Sequence, residues 1–465
     1  MTAATARSAV KAPDERPAVL RLPQYLGYGA GDAANNLAFS MTSMFLLLYY
    51  TDVVGLPAAA IGTMFLIVRL WDAFADLAAG RAIDRTMTRW GKFRPYILFG
   101  AVPLLVLNVA VFSVPDLGDA GTLVYAYVSY ILFGLAYSLV NIPYGSLATA
   151  MTQDPVERSK LATFRVFGSN IAILLLAVAV SPQIEGSDDL QRSLTITTIV
   201  LAVIGTALYL ATFQTSRERV AHSTQTPTLR ETFQSAKQNN ALLVLCGSSV
   251  VFLVGWFSLQ TVTVYYARDV LGNADYYIVL TVVQTAGVFA AALLVPGLVA
   301  RIGKKRVYQA LGTIAALSGI AVALAPASVP AVAIVAFALF GVGLGGVNTV
   351  SFALQADTVE YGEWKTGSRT EGATYSIFSF TRKVGQAIGA AAASYTIGVG
   401  GYVEGAAGQP GSALTAIKTA AGLVPAAFII GAVAVMSAYP LTEERFREIV
   451  RELAARRARG RAEEA

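Results

Sequence analysis

The sequence predicts an all-α membrane protein with twelve transmembrane helices in two six-helix bundles. Three observations carry that reading. Only 14% of the 465 residues are charged and 55% are hydrophobic, against about 25% charged in a soluble protein, and the mean hydropathy is +0.57. Apolar runs near or above about 18 residues, the length that crosses a bilayer, recur along the chain. A polar stretch, TSRERVAHSTQTPTLRETFQSAKQNN, divides those runs into six and six.

In order, the spans fall near 25–50, 58–80, 95–114, 122–150, 161–182 and 193–213, then 241–268, 276–300, 307–326, 330–356, 372–398 and 416–440. The expected organisation is an N-terminal segment 1–24, a six-helix bundle 25–213, a central loop 214–240, a second bundle 241–440 and a tail 441–465. The basic loop after span 2, GRAIDRTMTRWGKFRP, has a counterpart after span 8, ARIGKKR. The same signal at equivalent places suggests an internal duplication, the usual trace of a transporter that rocks two bundles about a midplane site. In the tail, Phe446, Ile449, Val450 and Leu453 share one helical face, which suits a helix leaning on the membrane or on the bundle.

Short loops rich in Lys and Arg face the cytoplasm. Arg81, Arg85, Arg89, Lys92 and Arg94 follow span 2, and Arg301, Lys304, Lys305 and Arg306 follow span 8, while PQIEGSDDLQR on the other side is acidic. Both termini are therefore expected in the cytoplasm and the chain in the inner membrane. The bilayer accounts for the pI of about 9.2, so no nucleic-acid partner is called for. The first 22 residues lack the apolar core of a cleavable leader. One cysteine, Cys246, and one histidine, His222, exclude a disulfide framework and Cys- or His-rich metal chemistry. No cofactor is expected, and a monomer is.

An ionisable side chain at the bilayer centre costs at least about 2.5–3.5 kcal/mol, so it turns inward and finds a partner. In RLWDAFAD (69–76), Arg69, Asp72 and Asp76 lie at i, i+3 and i+7, on one face of span 2. Arg69 balances the charge of the pair. Two carboxylates one turn apart repel, and one so raised in proton affinity can take a proton or hold a small cation. The alternative is a buried salt bridge that only joins spans. Span 1 adds Asp32 and Asn36, span 4 Tyr137 and Asn141, span 5 Arg165, and span 11 Ser379, Arg382 and Lys383 in SFTRKVGQ. The cations on spans 5 and 11 suit a cavity for an anion, or else pair with Asp32, Asp72 and Asp76 alone. GVGLGG at Gly341–Gly346 matches a dinucleotide fingerprint but lies within an apolar span, where close helix packing through small residues explains it.

Five stretches then carry a resemblance: YYTDVVGL (49–56), RLWDAFAD (69–76), RWGKFRPYIL (89–98), NIPYGSLATAMTQ (141–153) and ADTVEYGEWKTGSRTEGATYSIFSFTRKVGQAIG (356–389). The chain resembles the glycoside–pentoside–hexuronide:cation symporters, a branch of the major facilitator superfamily, over roughly 25–450. Within that branch, GDAANNLAF (31–39) and LVPGLVARIGKK (294–305) align it with the carriers of glucuronides. The resemblance implies a symporter, not an enzyme, that imports a small glycoside with a coupling ion, H+ or Na+.

In galactoside carriers of this branch, two span 2 carboxylates bind the coupling cation; they match Asp72 and Asp76. The lysine linking cation and sugar sites matches Lys383, and the arginine that contacts sugar matches Arg165. Two sugar-binding aspartates of those carriers are Asn36 and Asn141 here, and two aromatics are Gly145 and Asn348. Asparagines still serve hydroxyls without repelling a carboxylate-bearing sugar, and Arg165 suits a bidentate pair with a uronate. Loss of a carboxylate at Asn141 favours proton over sodium, because sodium needs several oxygen ligands. The expected substrate is thus a glucuronide or related glycoside. Asp84, Arg85, Arg89, Lys92 and Arg94 are read as a cytoplasmic latch as well as a topology signal. The alternatives are a sodium-coupled carrier of neutral glycosides, pentosides or oligosaccharides, and a lipid-handling or sensor protein on the same scaffold.

Overall fold

The computed structural model describes residues 20–152, 155–218, 237–367, 371–406 and 408–463; the side chains of Arg69 and Asp84 lie outside the described residues. Each expected span is one helix: α1 Leu22–Leu48, α2 Ala58–Asp84, α3 Arg94–Val111, α4 Gly118–Met151, α5 Pro155–Gly186 and α6 Leu190–Thr215. The second set is α7 Asn240–Tyr265, α8 Tyr276–Ile302, α9 Lys304–Leu324, α10 Pro330–Thr366, α11 Glu371–Val399 and α12 Gly411–Ser437, the last with an internal π-helical turn, Thr419–Leu423. Among the described residues, nine of these are long and apolar enough to cross a bilayer. The other three, α1, α2 and α11, carry much of the charge and amide chemistry singled out above.

Packing repeats between the halves. In the first, α1 lies on α5 and α6, α4 on α2 and α3, and α3 on α6. In the second, α7 lies on α11 and α12, α10 on α8 and α9, and α9 on α12. Adding six to each helix of the first set gives the second. The halves meet where α2 packs along α11, α5 along α8 and α1 along α7.

Small residues set the closest crossings. A Cβ on Gly168 would stand 2.1 Å from the Gly29 carbonyl oxygen, and one on Gly29 would stand 2.7 Å from that of Phe164, so α1 and α5 touch backbone to backbone. GVGLGG does the same work for α10. A Cβ on Gly341 would lie 2.1 Å from Gln284 O on α8, and one on Gly343 would lie 2.6 Å from Leu311 O on α9. These glycines are packing surfaces.

Both halves end their first helix in a π-helical turn, Tyr49–Val53 after α1 and Tyr266–Val270 after α7. Each turn is closed by a glycine of positive φ, Gly55 at +79° and Gly272 at +77°. The sequences YYTDVVG and YYARDVLG repeat each other with one residue added. The inserted cation, Arg268, crosses to the other half. Its Nη1 meets the Asp52 carboxylate, Nη2 donates to Tyr402 Oη at 2.7 Å, and its remaining N–H groups hold Asp269. Tyr402 Oη also donates to Asp52 at 2.8 Å, and Thr51 and Tyr265 hydroxyls lie 2.8 Å apart. Ser181 of α5 donates to Ala274 O at 2.6 Å, and Thr63 of α2 meets Tyr395 of α11 at 2.7 Å. These contacts join the halves at the end opposite the chain termini.

The tail forms α13, Glu443–Glu463. Ile449 and Leu453 are buried and Phe446 packs on the core, whereas Val450 stays exposed. Trp364 Nε1 donates to Glu452 at 2.7 Å, and Arg456 donates to Trp364 O at 3.0 Å. The bundle, through α10, is thus what the tail leans on.

Where α5 begins, ahead of its membrane-spanning part Lys160–Ile184, the buried Glu157 collects three donors. Lys160 Nζ at 2.8 Å, Tyr25 Oη and the Leu20 backbone N–H at 2.9 Å converge on it and tie the entry of α1 to α5. These hydrogen bonds hold its carboxyl at about 2, below the ordinary 4.5. A depressed value means the stabilisation is present above pH 4.5 and is lost as pH falls from there towards 2. Glu157→Gln should therefore lower the melting temperature at pH 7, with the gap to wild type closing as pH falls below 4.5, measured by thermal unfolding in detergent.

Candidate functional site

The α1–α5 crossing brings Asp32 and Arg165 together. Arg165 Nε donates to Asp32 Oδ1 at 2.8 Å; the acid's side chain is 7% exposed and the arginine's 38%. One turn on, Asn36 Nδ2 donates to Asp32 Oδ2 at 3.2 Å and to its backbone oxygen at 2.9 Å. The Arg165 guanidinium sits 5.5 Å from the centre of the Tyr144 ring of α4, which stacks on Tyr28 at 4.8 Å. Asp32, whose counter-charge the sequence left open, is thus the carboxylate that holds Arg165.

Asp76 and Lys383 form the second pair. Lys383 Nζ of α11 meets Asp76 Oδ2 of α2 across the two halves, with both side chains 24% exposed. Among the described residues, the other oxygen, Asp76 Oδ1, is buried without a hydrogen-bond partner. Asp72 lies one turn away, 6% exposed, with its carboxylate against α4. A Cβ on Gly134 would be 2.2 Å from Asp72 Oδ1, so any side chain there would push the carboxylate from its place. Whether Arg69 balances these acids, as the sequence suggested, turns on a side chain outside the described residues; the cation described on Asp76 is Lys383.

Arg382 faces the other way from its neighbour. Its Nη2 donates to Asn348 Oδ1 at 2.9 Å, and its guanidinium lies 5.0 Å from the centre of the Phe352 ring and 5.7 Å from that of Phe378. The asparagine on α10 therefore holds Arg382 within the second half. Tyr137 stacks between Phe39 at 5.5 Å and Phe133 at 6.2 Å. Asn141 and Ser379 are half-buried. A Cβ on Gly145 would meet nothing within 4 Å, so the place of the aromatic is open space.

Between the halves, a largely apolar pocket, walled in part by Met44, Ile173, Val288 and Leu344, carries polar groups from Asn170 of α5, Gln260 of α7, and Thr281, Gln284 and Thr285 of α8, beside Trp256 of α7. None of these residues was singled out from the sequence. Their amides, hydroxyls and indole suit the hydroxyls and apolar face of a sugar ring. The signal was there as Gln260 and Gln284, each an amide inside an otherwise apolar span.

The basic loops make their described contacts within their own halves. Glu218, beyond α6, accepts from the backbone N–H groups of Lys92, Phe93 and Arg94 at 2.9, 2.8 and 3.1 Å. Arg94 Nη2 donates to Phe213 O at 2.6 Å. Arg89 lies 4.3 Å from the Trp90 ring centre and Arg85 is exposed. In the second half, Lys304 Nζ donates to both oxygens of Asp357 at 2.7 Å. Asp84's side chain lies outside the described residues.

The Gly134 contact gives a direct test of the α2 acids. Gly134→Ala should overpack the site at about 1–3 kcal/mol and cut uptake about tenfold or more. Gly145→Ala, in open space, should leave uptake and melting temperature near wild type. Uptake into cells or vesicles, with thermal unfolding of both variants, reads the contrast.

Comparison with known proteins sets this geometry in a family. Residues 27–443 match the family model described as MFS/sugar transport protein. The chain is similar to the glucuronide carrier protein homolog of Escherichia coli (strain K12), 45% identical over 92% of this chain and 94% of that protein. It is 32% identical to the isoprimeverose transporter of Lactiplantibacillus pentosus, over 84% of this chain and 83% of that one. In fold it matches a bacterial homolog of the human lysosomal transporter Spinster, crystallised inward-facing and occupied. That match has a TM-score of 0.64 at 13% identity and covers 92% and 97% of the two chains. This chain is therefore a multi-pass membrane transporter of the MFS/sugar transport protein family.

Proposed function

We propose that the protein is a symporter that moves glucuronides or related anionic glycosides into the cell with a coupling cation, most economically a proton. The observation that carries the substrate reading is Arg165, a partly exposed guanidinium on the first half whose N–H groups match a carboxylate. The likeness to a glucuronide carrier homolog supports it. Asn36 and Asn141 add no negative charge beside an anionic sugar. The pocket's amides and hydroxyls beside Trp256 take the sugar hydroxyls.

Coupling falls to Asp72, Asp76 and Lys383. Lys383 holds Asp76 when no cation is bound, and a proton or sodium ion on the carboxylates releases it. The release spans the interface of the halves, so loading changes what holds the halves together. Positive-inside orientation puts the termini and the basic loops in the cytoplasm. The Asp52–Arg268–Tyr402 network would then close the outer end, as an inward-opening form requires. The basic loops would latch the opposite form once the halves rock.

Counterflow of a labelled aryl glucuronide in proteoliposomes tests this reading. Wild type is expected to show it, and Arg165→Ala to lose it by about tenfold or more. Undiminished exchange in the variant would remove Arg165 from the site. Uptake driven by a sodium gradient and not by a pH gradient would replace the proton with sodium.

A further inference from the structure

Asp32 is a buried acid that the α2 coupling site does not use. Its partner shows an asymmetry: the acid is enclosed, at 7% exposure, while the arginine that neutralises it is 38% exposed. Nor is the pair needed to join α1 to α5, which already touch through Gly29 and Gly168. Only Nε of Arg165 is described on Asp32, and a guanidinium has four further N–H bonds to offer.

We propose that Asp32 is a specificity residue for carboxylate-bearing sugars: it occupies Arg165 in the empty carrier, yields it to the substrate's carboxylate, and takes one proton that crosses with that substrate in addition to the ion carried on the α2 acids. The inference rests on the reading of an anionic substrate. Arg165 cannot serve two carboxylates at full strength, because the incoming carboxylate and Asp32 repel each other across one cation. The substrate, reaching the exposed edge of the guanidinium, makes the bidentate pair. Asp32 is then a buried carboxylate without its counter-charge, a state that ends when it binds a proton.

The exchange balances. One anionic sugar and one proton enter, the Asp32 carboxylate becomes a carboxylic acid, and no net charge is added to the site. On release, Asp32 gives up the proton and recovers Arg165. Asn36 can serve both states, because its amide donates to the ionised acid at 3.2 Å and its carbonyl can accept from the protonated one. The surroundings supply no competing charge among the described residues. Facing Asp32 are Arg165 and Ser169 from α5, Tyr144 from α4, Tyr209 from α6, and Tyr28 and Asn36 on α1 itself. Tyrosines are neutral near pH 7. Along its whole length α7 has no charged residue, and α3 has only Arg94, bonded to Phe213 O.

The test is calorimetric binding of an aryl glucuronide to purified protein in two buffers of different ionisation enthalpy, which counts protons taken up. The matching aryl glucoside, lacking the carboxylate, is the comparison. Wild type should take up close to one proton more per glucuronide than per glucoside, with the affinity for glucuronide relative to glucoside falling about tenfold per pH unit where Asp32 is ionised. Asp32→Asn should bind the glucuronide with no more proton uptake than the glucoside and without that added pH dependence, and Asp32→Glu should restore both. Infrared difference spectra give a readout independent of the asparagine variant: glucuronide should bring up a protonated-carboxyl band in wild type that moves in Asp32→Glu. An excess uptake with glucuronide that is unchanged in Asp32→Asn, or a band that does not move in Asp32→Glu, would overturn the proposal. Equal affinity and equal proton uptake for glucuronide and glucoside in wild type would overturn the anionic-substrate reading, and this inference with it.

Discussion

A charge between apolar helices must have a partner within its own reach, and that constraint organises this molecule. The cost of an unpartnered ion at membrane depth, at least about 2.5–3.5 kcal/mol, is comparable to the net contribution of several hydrogen bonds. Asp32 on α1 meets Arg165 on α5, Asp76 on α2 meets Lys383 on α11, and Asp52 after α1 meets Arg268 after α7. Each pair joins two different helices. The first is internal to one half, whereas the other two bridge the halves. The charges therefore act both as chemistry and as the terms that decide which surfaces stay together.

Glycine supplies the distance that the charges require. The 2.8 Å contact between side chains of α1 and α5 lies on a crossing where the two helices touch backbone to backbone. Gly29 and Gly168 remove the Cβ atoms that would hold them apart. The same device shapes α10 between α8 and α9, through Gly341 and Gly343, and makes room for Asp72 at Gly134. In a bilayer, where apolar burial gives helices little reason to associate, such close contact is a main source of packing energy. A substitution at these glycines would act on the charged site at a distance, by moving a helix.

The sequence was most legible where the bilayer dictates the answer. Each of the twelve spans is found as a helix, because span length and hydropathy follow from membrane thickness. The inward-turned charges were legible for the same reason. What a linear reading does not contain is pairing: Arg165 and Asp32 lie 133 positions apart, and hydropathy says nothing about which cation reaches which acid. The pocket amides Gln260 and Gln284 were hidden because a single amide barely alters the hydropathy of a long apolar span. The repeat YYTDVVG and YYARDVLG was visible in principle. One added residue breaks its register, and that residue is Arg268, the one that crosses to the other half.

Two kinds of ion pair follow from this geometry, and they suit different tasks. At the end opposite the termini, Arg268 is engaged on all sides, by Asp52, Asp269 and Tyr402, and its side chain is 17% exposed. Parting the halves takes Asp52 from both Arg268 and Tyr402 together while Asp269 stays on the arginine, which suits a gate. At the midplane, Arg165 and Lys383 each hold one acid and remain partly open, at 38% and 24% exposure. A pair of that kind can exchange its partner singly while the helices stay in place. A sugar carboxylate at Arg165 and a cation at Asp76 would each release one internal contact for one external one. Because the Asp76 contact spans the halves and the Asp32 contact does not, a cation at Asp76 would bear on how the halves move, while an anionic sugar at Arg165 would set the charge of the site that must cross.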